Sequence, residues 1–187
     1  EPNIVASTNI ACVNFGETTV NNTLVLDSQV TGNYTFEWYA DGNLIAGETG
    51  STLTVTEVTQ AQVVFSVIAI SNSALQCASD TTPDRTRFTV IRSGLASNVT
   101  YTVTNAFSEQ QIITVTNDGY GIYHYSLDDG PILDNGGIFT NVPLGPHTVH
   151  VWDMRDPNGF SCGVVSIEGV QIIDYPHYFT PNGDGYH

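Results

Sequence analysis

The feature that most constrains this chain is a period of two. Tyr34, Phe36, Trp38 and Ala40 share one parity, and Thr35, Glu37 and Tyr39 share the other. Successive side chains of an extended chain point to opposite faces, so the first set is predicted to face a core. Asp41-Gly42 follows at once, and both residue types tolerate the positive φ of a tight hairpin turn. The same reading predicts strands at 23–27, 34–40, 52–56, 63–70 and 86–91, then at 99–104, 111–116, 120–127, 138–142, 147–154 and 164–173. Asn117-Asp118-Gly119, Asp128-Asp129-Gly130 and Asn135-Gly136-Gly137 punctuate the second set, as turn chemistry requires. In the last strand Val165 and Ile167 share one parity while Val170 and Ile172 share the other, which predicts a bulge at Gly169. Nowhere do apolar residues recur with a helical period, so almost no helix is expected.

Short strands at regular spacing, in a chain of 187 residues, predict an all-β fold of two tandem immunoglobulin-like β-sandwich domains. The expected boundaries are 1–94 and 95–175, with the joint near Ser93-Gly94. So short a linker predicts a semi-rigid tandem rather than loosely strung beads.

Charge narrows the partners. Four Lys plus Arg, all of them Arg, against nineteen Asp plus Glu leave a net charge of −15. Such a field repels phosphate backbones and anionic headgroups, so nucleic acid is excluded as an expected partner. No apolar run approaches the length of a membrane span, which is about 20 residues. No signal peptide is legible near Glu1, so any export signal is expected outside this stretch; a chain opening without Met and stopping at His187 reads as an excerpt or a processed product of something longer, and a monomer is expected.

Cys12 and Cys77 bracket Trp38, and in an exported chain they are expected to pair, stabilising the first module by roughly 4 kcal/mol in the chain-entropy model. Cys162 then has no partner in its own module. It reads either as a free buried thiol or as the partner of a cysteine elsewhere in the longer protein.

Catalytic signals are lacking. Ser, His and Asp all occur, yet no nucleophile motif positions them, and the loop around Cys162 offers neither base nor electropositive surroundings. The chain is therefore expected not to be an enzyme and to need no cofactor. His147 and His150 stand three apart on one predicted strand, so they face opposite ways and cannot easily share a metal; His147 fits a structural role beside Gly145-Pro146. Calcium is the better metal candidate, through Asp128, Asp129 and Asp134 with Asn135, and through Asn182-Gly183-Asp184-Gly185, because hard cations prefer oxygen ligands. No full ligand series is present. His150 and Trp152 occupy the outward parity of one strand, as Tyr39 does in the first half, and form a candidate platform for a surface glycan or a protein ligand.

The most specific text is Phe179-Thr180-Pro181-Asn182-Gly183-Asp184-Gly185, preceded by Tyr175-Pro176-His177-Tyr178 and followed by Tyr186-His187. It resembles the opening of the gliding-motility-associated C-terminal domain of Bacteroidota surface proteins, which directs export through the type IX secretion system. The family continues with Asn-Asp, where this chain has His187. Upstream, 123–130, 139–142 and 145–153 resemble repeats of the long surface adhesins of those bacteria, and 34–42 with 52–55 resembles their Ig-like modules. The resemblance implies that 176–187 begins a truncated sorting domain, that the outer-membrane secretion machinery is a partner through that domain, and that the protein is exported to the cell surface or beyond. It implies a stalk or adhesion module; the alternative is a carbohydrate-binding accessory of a secreted polysaccharide-degrading enzyme.

Overall fold

The computed structural model describes residues 2–73, 86–104, 110–156 and 162–173. Among these the only regular elements are strands: β1 (Ile10–Cys12), β2 (Val25–Asp27), β3 (Tyr34–Ala40), β4 (Asn43–Leu44), β5 (Thr52–Thr54), β6 (Gln62–Ser71), β7 (Arg87–Ser93), β8 (Ser97–Val103), β9 (Ile112–Asp118), β10 (Tyr123–Leu127), β11 (Ile138–Thr140), β12 (Gly145–Asp153) and β13 (Val164–Ile172). The protein is all-β, built of several sheets in a sandwich-like arrangement.

In the amino-terminal half one sheet runs β1-β7-β6-β3-β4 and a second pairs β2 with β5. Their inner faces meet in one core, to which β2 gives Leu26, β5 gives Leu53, β3 gives Phe36 and Trp38, and β6 gives Val63, Phe65 and Val67. Trp38 is wholly buried, and its indole N–H donates to the Gly50 carbonyl at 2.9 Å, so the ring enters the core without leaving a donor unmet. Tyr34 and Ala40 pack against the same core, as the parity predicts. Asp41 and Gly42 both have positive φ, 47° and 80°, and the turn brings Ala40 opposite Asn43.

In the carboxy-terminal half the sheets run β10-β12-β13 and β11-β9-β8. A second core gathers Ile113 and Val115 from β9, Phe139 from β11, Tyr125 from β10, Val149 and Val151 from β12, and Val170 and Ile172 from β13. His147 lies opposite Val170 but Val149 lies opposite Ile167. Glu168 and Gly169 therefore face Thr148 alone, and Gly169 takes a φ of +70°: the bulge sits where the parity switch placed it.

Three expectations change. The predicted strand 120–127 begins only at Tyr123, with Tyr120 in the preceding turn. β1, unforeseen, adds to the edge of β7 in parallel, Cys12 opposite Ser93. The disulfide expected between Cys12 and Cys77 is instead Cys12–Cys162, with Cα atoms 5.5 Å apart, which also overturns the free thiol at Cys162. The reason is positional: pairing with Ser93 holds Cys12 where the chain leaves the first core for the second. Cys77 and the run Phe179 to Gly185 lie outside the described residues.

Candidate functional site: the joint between the two cores

Both cores end at a short connection, Gly94 to Ala96, between β7 and β8. Ser93, wholly buried at the end of β7, donates from its hydroxyl to Asp153 Oδ2 at 2.8 Å. Asp153 is itself 1% exposed and belongs to the other half. The same oxygen accepts the Cys162 amide at 3.0 Å, and Oδ1 accepts the Arg155 amide at 3.2 Å. A buried carboxylate costs several kcal/mol unless its lone pairs are satisfied; three donors converging from two halves supply that satisfaction. The disulfide closes the circuit, running from Cys12 beside Ser93 to Cys162 beside Asp153.

Tyr120 bolts the joint from the other side. Its ring meets Phe15 at a tilt of 54°, centroids 5.3 Å apart, the Arg92 guanidinium lies 3.7 Å over it, and its hydroxyl accepts the Gly16 amide at 3.1 Å. A guanidinium over an aromatic face gains roughly 0.5–2 kcal/mol. The Arg155 guanidinium donates to the Tyr120 carbonyl. Two of the chain's four cations are thus committed here. Tyr123 adds a third tie: its hydroxyl donates to the Gly94 carbonyl at 3.0 Å and accepts the Gly121 amide at 3.0 Å. Burial above all pushes the Tyr123 phenol above its ordinary pKa, partly offset by the Gly121 bond. The backbone is pressed close as well, for a Cβ on Gly94 would lie 2.2 Å from the Val13 carbonyl oxygen.

No protein-family model matches the chain, and no curated protein matches it. What the joint can do is therefore read from its geometry. Among the described residues its hydrogen bonds run between the two cores and hold them in one orientation, while the buried Arg92 and Arg155 Nε atoms have no hydrogen-bond partner. The disulfide fits an oxidising, extracellular setting.

The residues singled out by sequence fall elsewhere. His150 and Trp152 do lie together on the outer face of β12, ring centroids 6.2 Å apart. His150 Nδ1 meets Ser166 Oγ at 2.7 Å, and the Trp152 indole N–H donates to Ser126 Oγ at 3.0 Å, which pins the ring along the sheet. Tyr39 is likewise engaged, its hydroxyl donating to Glu37 at 2.7 Å. Asp128, Asp129 and Asp134 do not converge: among the described residues no three His, Cys, Asp or Glu side chains form a metal-binding group. Asp128 is occupied, accepting the Thr148 amide and His147 Nδ1, each at 2.8 Å. His147 Nε2 meets the Pro143 carbonyl at 2.8 Å. Both partners are acceptors, so the doubly protonated ring satisfies both contacts. The bond to Asp128 accordingly raises the His147 pKa, and the bond to His147 lowers that of Asp128.

Sequence reasoning missed Phe15, Arg92, Tyr120, Asp153 and Arg155. One signal was available: Asp153 shares the parity of Val149 and Val151, so an acid was due in the core.

Proposed function

We propose that this chain is a non-catalytic stalk module that spaces the attaching part of a cell-surface or secreted protein, made of two tandem Ig-like sandwiches ahead of a sorting domain for type IX export. The joint carries the reading: a buried carboxylate, a bolted tyrosine and a disulfide give the tandem a fixed geometry, as a spacer needs. The strand order supports the Ig-like part, since β3, β6 and β7 share one sheet against β2 and β5, and β10, β12 and β13 share one against β8, β9 and β11. Such a division matches the CFG and ABE sheets expected of that sandwich. The residues from Phe179 to Gly185 support the export route, and the outer-membrane machinery is the partner it implies.

The test is an exchange within the whole protein. Substituting an unrelated rigid two-sandwich tandem of equal length should leave surface attachment intact, and deleting one sandwich should impair it. Loss of attachment on the equal-length exchange would contradict a spacer.

The pinned Trp152 beside His150 favours a second reading, glycan recognition on the outer face of β12. A glycan array then gives binding that Trp152→Ala abolishes, whereas uniform silence removes this reading.

A further inference from the structure

The cross-link has a mechanical consequence that follows from its position in the chain. Cys12 and Cys162 are 150 residues apart, and β2 through β12 all lie inside the closed loop. Tension applied to the chain before Cys12 and after Cys162 passes through the sulfur bridge, because a covalent path 5.5 Å long between Cα atoms is in parallel with the entire loop. The chain from β2 to β12, inside the loop, then lies off the load path, while β13, beyond Cys162, stays on it.

We propose that the chain is a load-bearing link, in which the Cys12–Cys162 bridge diverts tension around β2 to β12 and keeps the enclosed 150-residue stretch from being drawn out while oxidised. This rests on the spacer reading and says what the spacer must withstand. The surroundings suit the task. Cys12 is held in β1 by pairing with β7, and the Cys162 amide is fixed on Asp153. Beyond Cys162 the load enters β13, which pairs with β12 along its length and is anchored by the buried Val170 and Ile172. Reduction would open the loop and expose both cores to unfolding under force. The bridge is thus a redox-dependent choice between a stiff strap and an extensible chain: each disulfide takes up two electrons and two protons from a thiol reductant, leaving the Cys12 and Cys162 thiols.

Single-molecule stretching of the chain from handles at its two ends tests this. The loop hides about 500 Å of contour at roughly 3.5 Å per residue. The expected result is that adding dithiothreitol to the wild type, or replacing Cys162→Ser, lengthens the fully stretched chain by that amount, and that Cys77→Ser changes nothing. A gain of only about 230 Å, the length of a loop from Cys12 to Cys77, or full extension without reductant, would overturn the strap. Either of those results leaves the spacer reading to the exchange experiment, which does not depend on the bridge.

Discussion

Removing the Asp153 carboxylate would strand the Ser93 hydroxyl and the Cys162 and Arg155 amides at once. Unsatisfied buried donors cost about 1–3 kcal/mol each before relaxation, so Asp153→Ala should destabilise the protein by about 3 kcal/mol in chemical denaturation, while Ser93→Ala should cost about 1 kcal/mol. Equal, negligible losses would mean that the carboxylate does not hold the joint. His147 makes a different prediction, in pH. Its pKa is raised from the ordinary 6.5, so the stability it contributes is complete below that value and is lost as pH rises through the folded pKa. Asp128, lowered from 3.8, contributes above that value and loses its share as pH falls through its folded pKa. The pair therefore stabilises most between the two ordinary values. Melting temperatures of the wild type and His147→Gln should differ most near about pH 5.5 and converge in the alkaline range; a gap that widens with rising pH would contradict the imidazolium contact.

At the scale of elements, what the sequence makes legible depends on whether a strand has two different faces. β3 alternates visibly because one side packs on the core and the other does not, and the Gly169 bulge is legible because it switches that alternation. β1 is buried at all three positions and β4 is exposed at both of its two, so neither has any period to read. Tyr120 falls within the predicted strand 120–127, yet its contacts run across the joint, to Arg92 and Phe15, some 28 and 105 positions earlier. The core itself was legible at Trp38. Trp38→Phe should cost about 2–3 kcal/mol, combining a partial cavity with the loss of the bond to Gly50, and the loss should appear as a lower denaturation midpoint at unchanged slope. A neutral result would place the indole outside the core.

For the whole molecule, the deciding contact was beyond any reading of spacing. Cys12 and Cys77 looked like partners because they flank one module, but parallel addition of β1 to β7 carries Cys12 to the junction, where Cys162 arrives from the far end of the second core. A loop of 150 residues is worth about 5 kcal/mol in the chain-entropy model, and it ties both cores into one unit. A break between strands near Ser93-Gly94 was legible; the contacts that Asp153, Tyr120 and sulfur make there were not, because those residues are far apart in the chain. The strap depends on that pairing outright, and the fixed geometry of the joint depends on it in part. Disulfide mapping by mass spectrometry measures it directly. Trypsin leaves Cys12 and Cys77 in one peptide, ending at Arg85, so a second cut at Glu17 is needed to separate them. With alkylation before digestion, the expected products are the peptide carrying Cys12 joined to the one carrying Cys162, and alkylated Cys77; a Cys12–Cys77 peptide, or three alkylated cysteines, would contradict the Cys12–Cys162 pairing.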